Sequence, residues 1–186
     1  MKICVLEHPR IASVKRFNDI ANTPLWSCLM GGYAASALET AGFDTVFLDQ
    51  SGPGCSFDQT LDLLDGISPD FLAVNAVYFW EHTHELFDFF SRLRDRGFSG
   101  HLNLFGFFPT LVFREILNQY PVVDSVAVGE FENTLVELAA GIDQGKKTAP
   151  VPGLAVKSCT ESQVEIFKKP AVDPDEFVFP KRQSLD

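Results

Sequence analysis

Short apolar runs alternate with amphipathic segments through most of this chain. Five runs predict buried strands, namely Lys2–Leu6, Asp44–Leu48, Phe71–Val74, His101–Phe105 and Ser125–Val128. Helical spacing and Pro or Gly boundaries predict helices between them, at Pro24–Ala41, Asp58–Leu64, Glu81–Arg96, Pro109–Gln119 and Asn133–Ile142. Because parallel strands need crossover connections, this alternation predicts an open parallel α/β sheet, Rossmann-like or flavodoxin-like, with helices on both faces. The preferred strand order is 2-1-3-4-5.

The pattern changes in the last quarter of the chain. Two alternating stretches, Gly153–Lys157 and Gln163–Lys168, predict a β-hairpin. Residues 170–186 hold three prolines, several charges and no periodicity, which is typical of a linker or extended arm. We therefore divide the chain into a sheet domain (1–147), a hairpin (148–169) and an arm (170–186).

Composition and charge narrow the classes of function. With 186 residues, 46% hydrophobic and 22% charged, the chain suits one globular domain of ordinary size. The net charge of −10 disfavours a surface for nucleic acid or for anionic membranes, since such surfaces are basic. No apolar run approaches the roughly 20 residues that span a bilayer. The N-terminus turns polar at Glu7 and lacks the apolar region of a signal peptide, so we expect a cytoplasmic protein.

Cysteine and histidine spacing gives no metal-site pattern. The cysteines form no CxxC pair and are expected to be reduced and structural; they are Cys4, Cys28, Cys55 and Cys159. His82 and His84 are two residues apart and would face different sides of a helix, which predicts surface or capping roles. No Ser/His/Asp or Cys/His arrangement can be assembled. We expect neither catalytic residues nor metal ligands on this chain.

The loops that follow two of the strands are unusually apolar. In open parallel sheets, ligands bind beyond the carboxyl ends of the strands, at the switch in strand order. The stretches Ala76–Trp80 and Phe105–Pro109 place aromatic residues there, where loops are usually polar. This pattern indicates an edge for a broad hydrophobic cofactor. The alternative is that the rings cover the ends of the sheet or a partner surface.

Other ligand classes of this fold find little support in the sequence. There is no GxGxxG after the first strand and no GxxxxGK(S/T) motif. A phospho-acceptor domain would need an acidic cluster after the first strand, an Asp at the end of the third strand and a Lys at the end of the fifth. This chain has Glu7, Asn75 and Gly129 at those places. The stretch Glu7–Arg10 has no Ser or Thr for a flavin phosphate, so a flavodoxin-like FMN protein is a remote alternative.

Several segments, in order, resemble the cobalamin (vitamin B12)-binding domain at the N-terminus of many radical S-adenosylmethionine enzymes. They are Lys2–Leu6, Leu38–Asp49, Pro69–Asn75, Val123–Leu135 and Val151–Leu154. The fourth segment is the most specific, since V-D-S-V-A-V-G-E-F-E-N-T-L is similar to the family pattern vD-x-vv-x-GEgE-x-tl. Segment 173–186 resembles the stretch that leads to the catalytic barrel in that family.

The resemblance implies a corrinoid bound at the carboxyl edge of the sheet, facing a radical S-adenosylmethionine barrel. That barrel carries an iron–sulfur cluster on a CxxxCxxC motif, which this chain lacks. We therefore expect a corrinoid-binding module, of methyltransferase type, without an iron–sulfur cluster of its own and not catalytic alone. The barrel would be its partner, in cis or in trans. The alternative is a cofactor-free interaction domain that docks an iron–sulfur partner.

The resemblance and the apolar loops together give the candidate cofactor-binding residues. They are Asn75, Ala76, Val77, Tyr78, Gly106, Phe107, Phe108, Gly129, Glu130, Phe131 and Glu132. Where the family often has Gly-Gly after the fourth strand, this chain has Gly106-Phe107, and Phe does not permit the close approach that Gly does. Glu130 and Glu132 are expected to stabilise a helix N-terminus or to contact the amide arms of the cofactor.

The loop after the first strand differs from the cobalamin-binding pattern D-x-H-x-x-G. This chain has Glu7-His8-Pro9-Arg10 there. We expect no histidine ligand to cobalt and place His8 in a solvent-exposed loop. The alternative is that His8 binds cobalt, since it lies in the matching loop.

Overall fold

A computed structural model describes residues 1–11, 27–77, 82–146, 150–158, 164–168 and 179–180. Strands and helices alternate along these residues. In chain order they are β1 (Lys2–Glu7), α1 (Ser27–Thr40), β2 (Asp44–Asp49), α2 (Phe57–Ile67), β3 (Phe71–Asn75), α3 (Thr83–Asp95), β4 (His101–Phe105), α4 (Phe107–Gln119), β5 (Ser125–Ala127), α5 (Glu132–Asp143), β6 (Leu154–Lys157) and β7 (Val164–Ile166). In the part of the chain so described, no helix is both long and apolar enough to cross a membrane.

The strands form one sheet in the order β2-β1-β3-β4-β5-β6-β7. β1 to β5 are parallel, which confirms the predicted fold class and the order 2-1-3-4-5. The predicted hairpin is present, and it continues the sheet: β6 pairs antiparallel with β5, and β7 antiparallel with β6. The predicted arm, 170–186, lies outside the described residues except at 179–180.

Helices cover both faces of the sheet, as the apolar character of its strands requires. On β1, Cys4 and Leu6 belong to the core cluster formed with α2, α3 and α4. The alternate residues, Ile3 and Val5, belong to the cluster formed with α1 and α5. The sheet is therefore the middle layer of three, and only its two ends and its edge strands can meet a ligand.

Arg94, in the last turn of α3, forms hydrogen bonds that stabilise the amino-terminal end of the sheet. Its guanidinium donates to the carbonyl oxygens of Phe98 (3.1 Å), Gly100 (2.7 Å) and Val122 (3.0 Å). It also donates to Oδ2 of Asp124 at 2.6 Å. One side chain thus fixes the turns that lead into β4 and β5.

We expect Arg94→Ala to lower the free energy of unfolding by about 2–4 kcal/mol, because several partly buried carbonyls lose their donor together. Arg96→Ala is the matched control, since Arg96 is more exposed and bonds only surface carboxylates of α2, those of Asp62 and Asp65. Urea denaturation of both variants measures the difference. Equal losses would contradict the role given to Arg94.

Candidate functional site

The carboxyl ends of β1, β3, β4 and β5 lie along one edge of the sheet. The strand order reverses between β1 and β3, because the chain passes from β1 outward to β2 and then returns to β3 on the other side. In sheets of this kind the crevice at the reversal is where ligands bind. The last residues of the two strands, Glu7 and Asn75, lie side by side there.

Glu7 and Asn75 are hydrogen-bonded to each other and fully buried. Nδ2 of Asn75 donates to both carboxyl oxygens of Glu7, at 2.8 Å and 3.1 Å. The backbone N–H of Gly31, in α1, donates to Oε1 of Glu7 at 2.9 Å. A Cβ on Gly31 would lie 2.7 Å from that oxygen, so the glycine lets α1 approach the carboxylate closely.

Arg10 and His8 complete a cluster that we call the rim network, made of Glu7, His8, Arg10 and Asn75. Arg10 donates to Oε2 of Glu7 at 2.9 Å and to Nε2 of His8 at 2.8 Å. The backbone N–H of Val77 also donates to Nε2 of His8, at 3.1 Å. The crevice at the strand-order reversal is therefore occupied by the protein's own polar side chains.

His8 is buried and neutral in this arrangement. Its Nδ1 lies 2.8 Å from the carbonyl oxygen of Pro9, which can only accept, so Nδ1 carries the proton and Nε2 accepts. Burial and the charge of Arg10 hold the pKa of His8 well below its usual range. The expectation of a solvent-exposed His8 is thus wrong, because Val77 and Arg10 give the ring partners inside the edge. Both ring nitrogens are engaged within the protein.

The Glu7 carboxyl titrates far from its ordinary range. Burial raises its pKa to about 8, and the nearby Asp49 carboxylate at the end of β2 acts in the same direction. The charge of Arg10 and the donors from Asn75 and Gly31 act in the opposite direction. Glu7 therefore changes its charge near neutral pH.

Gly106 closes the rim network from the side of β4. It has a positive φ of 107°, and a Cβ there would lie only 2.3 Å from Oδ1 of Asn75. The sequence suggested that a glycine here would allow a cofactor to approach. In the structure, the group that approaches it is the side chain of Asn75.

A second part of the edge, beyond β4 and β5, is open and apolar. Phe107 and Leu111 lie one turn apart at the start of α4 and are 73% and 80% exposed. Next to them, the N–H of Gly129 donates to Oγ1 of Thr110 at 3.0 Å, which ties the loop after β5 to α4. Among the residues that the structure describes, and apart from its two chain neighbours, no heavy atom lies within 4 Å of where a Cβ on Gly129 would be. We call Phe107, Leu111 and Gly129 the apolar corner.

The other predicted site residues divide between the core and the surface. Ala76 and Val77 are buried beside the rim network. Phe131 is buried too, with its ring centroid 4.6 Å from that of Phe105, so it packs the core. Glu130 is exposed, Glu132 begins α5 as predicted, and Phe108 is half-buried. Tyr78 lies outside the described residues.

Sequence reasoning missed Glu7 and Arg10 as members of the site. Polar residues after a strand were interpreted as a loop, whereas Glu7 is the last residue of β1 and is buried. The available signal was an acidic residue directly after an apolar run, an Arg three residues later, and an Asn at the end of the next central strand.

In the described segments, no three or more histidine, cysteine, aspartate or glutamate side chains come together in a group that could hold a metal ion. Nδ1 of His82 lies 2.9 Å from Oε1 of Glu85, one turn into α3, and His84 is exposed. Cys4 is buried in β1, which raises the pKa of its thiol to about 12. Cys55 is a half-buried thiol.

A cleft of about 920 Å³ lies at the opposite, amino-terminal end of the sheet. Its walls include residues at the starts of the central strands: Asp70 precedes β3, His101 begins β4 and Asp124 precedes β5. Arg94, in the last turn of α3, also lines it. Since ligands of open parallel sheets bind beyond the carboxyl ends of the strands, we place the candidate site at the other edge.

Gly106→Ala is expected to lower the free energy of unfolding by about 2–5 kcal/mol, because backbone strain adds to the overlap with Asn75. Gly129→Ala has a similarly positive φ of 80° but open space around the added methyl group, so strain alone costs about 1–2 kcal/mol. Thermal and urea unfolding of both variants test this. A loss at position 106 no larger than at 129 would count against the closed network.

Stability should depend on pH through Glu7. Since its pKa rises from 4.5 to about 8 on folding, the folded state binds the proton more strongly, and the free energy of unfolding falls as pH rises across that window. Glu7→Gln cannot titrate, so the stability of wild type relative to this variant should fall from pH 4.5 to 8 and be level below pH 4.5. The contribution of His8 is common to both proteins. A relative stability that rises with pH would show that Arg10 outweighs burial.

Comparison with known proteins finds no matching family model. An anaerobic magnesium-protoporphyrin IX monomethyl ester cyclase from Rubrivivax gelatinosus is 24% identical over 128 residues. The match covers 66% of this chain and 21% of the cyclase. The chain thus spans about a fifth of the length of that relative.

Solved structures match over nearly the whole chain. The cobalamin-dependent S-adenosylmethionine radical enzyme OxsB, with aqua-cobalamin and S-adenosylmethionine bound, has a TM-score of 0.70 and 15% identity over 92% of this chain and 22% of that one. The radical S-adenosylmethionine methyltransferase TsrM from Kitasatospora setae, with cobalamin and an iron–sulfur cluster bound, has a TM-score of 0.68 and 18% identity over 97% of this chain and 31% of that one. The resemblance found in the sequence is confirmed at the level of the fold: this chain has the fold of a part of the cobalamin-dependent S-adenosylmethionine radical enzymes.

Proposed function

We propose that this chain is a cobalamin-binding module that works with a radical S-adenosylmethionine barrel. The observation that carries the proposal is the apolar corner, which stands exposed at the ligand-binding edge of a fold whose solved counterparts hold cobalamin. Two large apolar side chains one helical turn apart, both more than 70% exposed, form a surface that favours an apolar ligand or partner.

The residues at this corner suit a corrinoid ring. Such a ring is broad and flat, with apolar faces and amide arms at its periphery. Phe107 and Leu111 provide an apolar surface, and the open space at Gly129 permits close backbone approach. The exposed carboxylate of Glu130 can accept hydrogen bonds from amide N–H groups.

The remaining predicted residues would support the ring from behind. Asn75 bonds Glu7 in the rim network, the N–H of Val77 bonds His8 there, and Ala76 is buried between them in sequence. Phe131 anchors the loop after β5 in the core. His8 keeps both ring nitrogens within the protein, so we assign it no bond to cobalt. Bound cobalamin would supply the group-transfer chemistry of cobalt, and we favour methyl transfer because TsrM is a methyltransferase.

We assign catalysis to the complete assembly and not to this chain alone. The sequence has no CxxxCxxC motif, so we place the iron–sulfur cluster and S-adenosylmethionine on the barrel partner. The chain covers less than a third of OxsB and of TsrM, which leaves ample length in such enzymes for that part.

The direct test is to mix the purified protein with hydroxocobalamin, remove unbound corrinoid by desalting, and record the visible spectrum. We expect stoichiometric corrinoid to remain with the protein. Complete loss of colour would contradict cobalamin binding.

Point variants test the location of the site. We expect Phe107→Ala and Leu111→Ala each to weaken hydroxocobalamin binding about tenfold, equivalent to about 1.4 kcal/mol of lost apolar contact. The matched control is Leu63→Ala, an apolar residue of α2 that is 44% exposed and away from the corner. An equal effect of all three variants on the Kd would show that the corner is not the site.

The same exposed pair favours a second candidate, a cofactor-free domain that docks an iron–sulfur partner through Phe107 and Leu111. Copurification with such a protein, without bound corrinoid, would support it. Failure of a co-expressed barrel protein to associate at micromolar concentration would count against it.

A further inference from the structure

The first turn of α4, residues 107–111, carries the two exposed side chains of the apolar corner and lies between two breaks in the helical backbone. Before it, Gly106 has φ 107° and ψ −173°, a conformation that is essentially restricted to glycine. After it, Val112 has φ −128° and ψ 26°, which is outside the helical range. The turn is therefore not a regular continuation of the part of α4 that Phe113 and Leu117 fix in the core.

A hydrogen bond from the neighbouring loop adds a directed contact to this turn. Apolar packing already holds the turn on the protein, because Pro109 is buried and Phe108 is half-buried against the core. Such packing has little directional preference. Oγ1 of Thr110, in contrast, accepts a hydrogen bond from the backbone N–H of Gly129 at 3.0 Å. That bond joins the turn to the loop after β5, the strand that pairs with β4.

The loop after β5 is held on both sides of Gly129. Before it, the N–H of Val128 donates to the carbonyl oxygen of Gly153 at 2.8 Å. Beyond it, Phe131 is buried in the core. Gly129 itself is exposed and has a positive φ of 80°, so its N–H would be left to water without Thr110. Thr110 thus holds the part of this loop that belongs to the apolar corner.

We propose that Thr110 is the positioning residue of the apolar corner. By holding Gly129 against the first turn of α4, it presents the two apolar side chains and the loop backbone as one surface before a ligand arrives. A surface that is already ordered binds more tightly, because no binding free energy is lost in ordering it. The inference rests on the proposed corrinoid function, and Thr110 acts on the corrinoid through Gly129.

Titration of the full chain with hydroxocobalamin, followed by visible absorption, tests this role. Thr110→Val keeps the branched shape and removes the acceptor, so we expect its Kd to be about fivefold higher than that of the wild type. Thr110→Ser keeps the hydroxyl and should bind within about twofold of the wild type. The matched control is Thr45→Val, which should leave the Kd unchanged. It removes a hydroxyl on the edge strand β2 that donates to the carbonyl oxygen of Phe43 at 3.2 Å.

Hydrogen exchange in the protein without corrinoid gives a second measurement. We expect the Gly129 amide to exchange several-fold faster in Thr110→Val than in the wild type, because the bond from this N–H is lost. Thr110→Ser should exchange like the wild type. Equal rates in Thr110→Val and the wild type would overturn the inference, since Thr110 would then not hold the loop.

The binding results separate this inference from the proposed function. A wild type that binds hydroxocobalamin and a Thr110→Val variant with an unchanged Kd would overturn the inference and leave the proposed function standing. The same conclusion would follow if Thr110→Ser did not restore binding, or if Thr45→Val raised the Kd equally. Failure of the wild type itself to bind hydroxocobalamin would overturn the proposed function, and the inference with it.

Discussion

A carboxyl group buried where the strand order reverses is the constraint on which this edge of the molecule depends. A polar group out of water must be fully hydrogen-bonded or it costs several kcal/mol. Glu7 meets that condition only because α1 approaches through Gly31, Asn75 lies opposite on β3, and Arg10 turns back toward the strand. The glycine at position 106 follows from the same constraint, since any side chain there would displace Asn75.

The consequence is an edge with one closed half and one open half. Over β1 and β3 the protein fills its own crevice with the rim network. Over β4 and β5 it exposes Phe107 and Leu111 next to the open glycine of the loop after β5. We propose that a flat ligand or an apolar partner surface finds its contacts at the apolar corner, next to the half of the edge that the rim network closes.

Much of the fold could be predicted from the sequence because the strands are covered on both faces. Strand β4 was predicted with its observed ends, since His101–Phe105 is bounded by Gly100 and Gly106. The rim network was not predicted, because the bonds that hold Glu7 and His8 inside the edge come from residues far along the chain: Glu7 and Asn75 are separated by 68 positions, and His8 and Val77 by 69. Polarity after a strand usually marks a loop, and only a partner brought in by the fold turns such a residue inward, as happens with Glu7 and His8.

A crystal structure of this chain grown with hydroxocobalamin would test the account most directly. The account predicts a corrin ring lying against Phe107 and Leu111. A structure in which the ring lies elsewhere would contradict it.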